Sequence, residues 1–232
     1  PEAERARRER LRESAGGITS YSVNADGSLV AFSLGGELVL CDTSAGTVSV
    51  VDGSTGAFDP RISPDGASVA FVLGQDLHVA PADGSGAGRQ LLMGDKSTVS
   101  WGSAEFVAAE EMRRTRGYWW SPDGTKLAVT RVDVADVAKW HISAPNNPAG
   151  EPRSIRYPAA GTANAHVELH IVELDGGTTT EVRWEKETYP YLVDVMWDDN
   201  APLALVVQSR DQRSMCVLEV ADETGDTGVV VE

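Results

Sequence analysis

The sequence of 232 residues predicts an all-β fold: a partial β-propeller of about four four-stranded blades, preceded by a short N-terminal helix. Three observations predict it. Short apolar runs rich in Val, Thr and Ser are separated by Asp-Gly or Pro-rich turns, and the chain holds 23 glycines, a pattern of strands and turns. One turn motif recurs, as "NADGSLVAF" at 24–32, "ISPDGASVAF" at 62–71 and "WSPDGTKLAV" at 120–129, with a degraded copy in "DVMWDDNAPLALVV" at 194–207. The turn aspartates Asp26 and Asp65 lie 39 residues apart (65 − 26), and roughly forty residues holding four strands is the period of a propeller blade.

Taken in order, residues 1–16 read as a helix or tail, because "PEAERARRERLRE" is a mixed-charge, helix-favouring run with little apolar face. A first blade at about 18–57 carries "ITSYSV", "LVAFSL", "ELVLCD" and "TVSVVD"; a second at about 58–97 carries "DPRIS", "SVAFVL", "DLHVAPA" and "GRQLLM". The third, about 98–185, is longer. Asp65 to Asp123 is 58 residues (123 − 65), so "AEFVAAEEMRRTRGYWWSPDG" at 104–124 holds an insertion with a charged, partly helical pattern. A further insertion at about 134–165 contains Pro145, Pro148, Pro152 and Pro158 and reads as an extended loop. The fourth blade, about 186–232, closes with "SMCVLEVADE" and "TGVVVE". In each turn, Asp accepts local backbone hydrogen bonds and Gly supplies positive φ.

With 35 acidic against 20 basic residues the formal net charge is −15. Such a surface repels phosphate backbones and anionic lipid, so neither nucleic acid nor a membrane surface is an expected partner. A cationic ligand feels a mild general attraction. Cys41 and Cys216 fit no metal or redox spacing and read as buried thiols of a reducing compartment, which points to the cytoplasm. No run approaches the roughly 20 apolar residues of a membrane span, and no signal-peptide pattern opens the chain. There is no Gly-x-Ser-x-Gly elbow, Walker loop or dinucleotide-binding unit, so no catalytic residue and no cofactor is assigned.

The adjacent carboxylates Glu110 and Glu111 are the leading binding candidates. They interrupt a regular repeat, and inserts on a rigid scaffold are where binding groups sit. Two carboxylates converging on one ammonium supply charge-assisted hydrogen bonds to its three N–H donors. Like charges so close also favour a bound cation. Arg113, Arg114 and Arg116 beside them could help hold a substrate carbonyl or carboxylate, but charges that balance the acids and stay in water are the preferred reading. His166, Glu168 and His170 share one strand face, but a solvated face is the preferred reading over zinc, and no metal site is assigned. Trp119 and Trp120 could form a stacking platform, but alternation sends one indole between blades and lets the other cover an adjacent surface, so core packing is the preferred reading.

The string "EEM…GYWWSPDGTKLAVTRVD", then a Pro-rich insert, then "YPAAGTANAHVELHIVELD" resembles the N-terminal β-propeller of the dipeptidyl peptidase IV family, in the prolyl oligopeptidase clan of serine peptidases. Tyr157, Pro158, Gly161 and Asn164 match that family's Tyr-Pro-x-x-Gly-x-x-Asn segment. The resemblance implies a truncated propeller that caps an α/β-hydrolase domain with a Ser-Asp-His triad. It also implies that Glu110 and Glu111 grip the α-ammonium of a peptide with a free N-terminus, so that cleavage falls after the second residue. The triad has no counterpart here, so the chain is expected to be inactive alone. The family's carbonyl-binding arginine has no match between Leu29 and Thr43. Family members often dimerise through an arm that maps near Tyr189 to Arg213, and the blade faces and edges of a partial ring favour self-association, so a homo-oligomer is expected. The alternative reading is a stand-alone propeller serving as a protein-interaction module.

Overall fold

The computed structural model describes residues 17–147, 149–175 and 179–232. The helix expected over 1–16 lies outside the described residues. Four antiparallel sheets follow one another along the described residues, and a fifth, two-stranded one lies within the span of the third. The first holds β1 (Ser22–Val23), β2 (Leu29–Leu34), β3 (Glu37–Asp42) and β4 (Thr47–Val50) in sequence order. The second repeats that order with β5 (Ala57–Ile62), β6 (Ser68–Leu73), β7 (Asp76–Pro81) and β8 (Arg89–Leu92).

The third sheet departs from the expected four strands. Its first strand is split into β9 (Val99–Trp101) and β10 (Tyr118–Trp120), with α1 (Phe106–Glu111) between them in sequence. Both pair with β11 (Lys126–Asp133), with Trp101 opposite Arg131 and Tyr118 opposite Val129. Thr130 faces the gap and carries the ladder across it, since the Gly102 N–H donates to the Thr130 carbonyl and the Thr130 N–H donates to that of Gly117. The insertion is therefore an excursion from one continuous strand position. The extended loop expected at 134–165 instead contains a hairpin, β12 (Lys139–Ile142) paired with β13 (Arg153–Arg156). Pro145 and Pro152 lie between these strands and Pro158 after them, so none of the three interrupts the ladder, while Pro148 lies outside the described residues. The sheet is completed by β14 (His166–Glu173) and β15 (Thr179–Val182).

The fourth sheet is β16 (Tyr191–Met196), β17 (Ala204–Gln208), β18 (Met215–Ala221) and β19 (Asp226–Val231). The segment 189–213, expected as a dimer arm, is the β16–β17 hairpin of this sheet, and Leu192, Val195, Leu205 and Val207 on it are buried. The short strands that form a separate hairpin are β12 and β13.

Three apolar layers join the sheets in series, as propeller blades require. Leu38 and Leu40 of sheet 1 meet Val69 and Phe71 of sheet 2. Ala70, Val72 and Val79 on the opposite face of sheet 2 meet Tyr118, Trp120, Leu127 and Val129 of sheet 3. Trp119, Ala128, Leu169 and Ile171 then meet Leu192, Val195 and Leu205 of sheet 4. Strand alternation places Trp119 and Trp120 in different layers. Both indoles are buried between sheets, which is the core packing expected of the pair.

The repeated turns are built alike. Asp26, Asp65 and Asp123 each accept the N–H two residues on, at 2.9, 3.0 and 3.0 Å. Gly27, Gly66 and Gly124 follow at φ of 73°, 74° and 72°. In the degraded copy Asn200 takes this place at φ 66°, the non-glycine residue best suited to left-handed backbone. Hydrogen bonds from Ser28 and Ser121 hold the carboxyls of Asp26 and Asp123 below their ordinary value of 3.8. A group with a depressed folded pKa stabilises above its unfolded pKa and loses that stabilisation as pH falls through the folded value. Denaturant unfolding measured from pH 6 downward is expected to give level stability to about pH 4 and a decline below it. Stability that rises on acidification through this window would contradict the assignment.

Among the described residues, no helix is long and apolar enough to cross a membrane, and no cluster of three or more His, Cys, Asp or Glu is placed to hold a metal ion. Both cysteines are free; Cys216 is buried and Cys41 half-buried.

Candidate functional site

The excursion between β9 and β10 is closed at a neck. A Cβ on Gly117 would lie 2.4 Å from both the Gly102 carbonyl carbon and the Ser103 nitrogen, so glycine lets the two backbones touch. The Thr130 hydroxyl donates within reach of the Ser103 and Gly117 carbonyls, at 3.1 and 3.0 Å. Beyond the neck, Glu105 caps α1: its Oε1 accepts the Ala108 N–H at 3.2 Å. Its Oε2 accepts from Arg114 Nη2 at 2.7 Å, and both side chains are almost wholly buried.

Arg114 ties three places together. Its Nε donates to the Leu192 carbonyl on β16 at 3.0 Å and its Nη1 to the Arg116 carbonyl at 3.1 Å, while Nη2 holds Glu105. Arg114 is thus an internal strut, not the solvated charge expected from the sequence. Arg113 is the exposed one and leaves the helix at φ 58°, a left-handed exit of the kind glycine normally supplies.

This framework presents Glu110 and Glu111 on the last turn of α1. Both are exposed, and neither carboxylate has a hydrogen bond or ion pair among the described residues. No basic residue lies in that last turn. Negative side chains at a helix C-terminus oppose the helix dipole, so both acids face an unfavourable local field that a bound cation relieves. α1 packs against β16, the first strand of sheet 4.

The motif around Tyr157 braces the same helix. Phe106 and Tyr157 meet edge to face with centroids 5.2 Å apart, and Tyr157 meets Trp140 of β12 at 5.2 Å. Asn164 Nδ2 donates to the Tyr191 hydroxyl on β16 at 3.2 Å. The other candidate cluster is structural. Glu168 lies between Arg131 at 3.3 Å and His170 at 2.9 Å, and His170 packs against Trp101, whereas the exposed His166 pairs with Asp136 at 3.4 Å.

Residues 24–232 match the model of the dipeptidyl peptidase IV N-terminal region. The chain belongs to this family. Dipeptidyl peptidase 4 of Felis catus is 28% identical over 179 residues, covering 72% of this chain and 23% of that protein. Dipeptidyl aminopeptidase B of Saccharomyces cerevisiae is 25% identical over 177 residues, covering 73% and 22%. The inactive dipeptidyl peptidase 10 of Rattus norvegicus is 26% identical over 165 residues, covering 68% and 21%. The solved structure of Porphyromonas gingivalis dipeptidyl peptidase 4 superposes with a TM-score of 0.78 at 23% identity, over 96% of this chain and 34% of that one. It bears on the fold alone. This dipeptidyl peptidase IV N-terminal region spans about a fifth of the length of these sequence relatives. An inactive protein stands among them, so membership does not by itself assign an activity.

Proposed function

We propose that this chain is the substrate-recognition propeller of a serine dipeptidyl aminopeptidase, and that Glu110 and Glu111 hold the α-ammonium of a peptide. The observation that carries the reading is the pairing of a rigid mount with unsatisfied acids. Glu105, Arg114 and the Gly102–Gly117 neck fix α1, while two exposed carboxylates stand together at its C-terminal end. Fixing the amine of a peptide fixes the distance from the amine to the bond that is cut, and such positioning lowers the entropic barrier of a later attack. The nucleophile and its triad are not supplied by these 232 residues, which contain no Gly-x-Ser-x-Gly elbow. The role here is to bind and orient.

Calorimetric titration of the full chain with a free-amine tripeptide and its Nα-acetyl form tests this. The free amine is expected to bind at least about tenfold more tightly, since hydrogen bonds to charged groups contribute about 1.5–3 kcal/mol. Glu110→Gln and Glu111→Gln should each remove most of that difference without lowering the melting temperature. Affinity should also fall above about pH 8, where the peptide amine loses its proton. Equal affinity for both forms of the peptide would sink the ammonium reading.

A further inference from the structure

A second charged group of the same framework lies outside the acid pair. A groove of about 320 Å³ is lined by Ser22 and Val23 of β1, Arg61 of β5, Trp119 and Trp120 of β10, and Arg116. It thus touches the first strand of three successive sheets. Each of these strands pairs with its own sheet on one side only; β1 touches β5, and Tyr118 and Trp120 of β10 hydrogen-bond to β5, so the first strands converge as they do around the central channel of a propeller.

Arg61 is aimed there by deliberate backbone. The β5–β6 register shifts between Phe58 and Arg61, and Asp59 within that bulge is buried with φ 50°. Bulges of this kind re-aim side chains, and a non-glycine residue at positive φ is tolerated where the surroundings hold it. They do so here. The Tyr118 hydroxyl donates to the Asp59 carbonyl, and Trp120 Nε1 donates to the Arg61 carbonyl at 3.0 Å. Asp59 Oδ1 accepts from Arg61 Nη2 at 2.8 Å, but the buried Nε–H of Arg61 has no acceptor.

Arg116 stands on the opposite bank. It is half-buried over the Trp119 ring, 5.0 Å from its centroid, and its guanidinium makes no hydrogen bond or ion pair among the described residues. Burial first, and then the charge of Arg61, pull it down to about 10, against smaller opposing effects of Asp59 and Asp194. The two cations are therefore close enough to repel. Desolvated guanidinium donors without acceptors are costly, and a carboxylate matches their planar fork.

We infer that Arg61 and Arg116 form a carboxylate-binding subsite on the inner wall of the propeller. A peptide bound there is preferred when it carries an acidic side chain or a free C-terminal carboxylate in reach of the pair. As a statement about peptide substrates this rests on the ammonium reading of Glu110 and Glu111; the affinity of the arginines for a carboxylate is tested separately from it.

The test is titration of the full chain with tripeptide amides carrying Glu or Gln at the second or third position, with the Gln peptides also as free C-terminal acids. Every peptide is used with a free and with an acetylated amine. At one position or at the C-terminus, the carboxylate form is expected to bind about tenfold more tightly than its neutral partner, a typical margin for a charge-assisted contact. The arm that responds tells a side chain from a C-terminus. Arg116→Gln should bring the ratio close to one, and Arg116→Lys, which keeps the charge and loses the fork, should leave part of it. Arg61→Gln should reduce it with the melting temperature held within a few degrees. Equal binding of the carboxylate and neutral peptides in every arm overturns the subsite, even where free amines still outbind acetylated ones. A carboxylate preference with no amine preference overturns the ammonium reading and keeps the subsite. Absence of binding by any peptide at millimolar concentration overturns both.

Discussion

Replacing Arg114 with Met is expected to destabilise the chain by about 3–5 kcal/mol, the usual cost of removing one partner from a buried ion pair. The loss has identifiable parts. Glu105 would remain buried with a charge and no cation, and the Leu192 and Arg116 carbonyls would each lose a donor. A buried acceptor left without its donor costs about 1–3 kcal/mol. Urea unfolding of the variant reads the total. The double variant Glu105→Leu with Arg114→Met separates charge from architecture. With both charges gone, much of the stability should return, because a buried pair is often replaceable by apolar groups of similar volume. Affinity for a free-amine peptide should not return, since the helix cap at Ala108 and the tie to β16 stay broken. A single variant that unfolds like the parent chain would show that Arg114 is not the strut assigned to it.

The parts of this architecture that were legible in the sequence are those fixed by near neighbours. An Asp-Gly turn closes within a few residues, so three copies and a degraded fourth announced four sheets, down to Asn200 standing where glycine stands elsewhere. The alternating apolar runs likewise marked the faces that meet between sheets. Arg114 was not legible. Its surroundings in sequence are charged and polar, and its burial depends on a carbonyl 78 residues away at Leu192. The β12–β13 hairpin was hidden for a related reason. Its prolines argued against regular structure, but Pro145 and Pro152 fall in the connection and Pro158 beyond the second strand. The preceding sheet offers the Trp120 indole N–H the Arg61 carbonyl, a partner visible only once β5 and β10 are side by side. The same long-range pairing concealed Arg61 itself. No local pattern marks a bulge at Asp59, and the positive φ at that residue is the one local sign of it, available only from coordinates.

The substitution Gly117→Ala should damage the site more than its size suggests. One methyl group is added, but it would lie 2.4 Å from two backbone atoms on the other side of the neck and 2.6 Å from a third, the Ser103 carbonyl carbon. A side chain could rotate away from such a contact; backbone held on both sides cannot. The neck must open, and opening it pulls at the Thr130 N–H and hydroxyl, which both donate to the Gly117 carbonyl. Overpacking costs about 1–3 kcal/mol and occasionally more, and the weakened bonds to a buried threonine add to it, so a loss of at least about 3 kcal/mol is expected. The effect should also travel. Arg116 precedes the neck directly, and α1 hangs from it on the other side through Ser103 and Glu105, so both charged groups of the site move with the strand ends. Peptide titration is expected to show the free-amine preference and the carboxylate preference falling together in this variant, where substitutions of Glu110 or Arg116 remove one and leave the other. If Gly117→Ala keeps both preferences and the parent melting temperature, the neck does not position the site, and the alignment of acids and arginines must be fixed by the sheets alone.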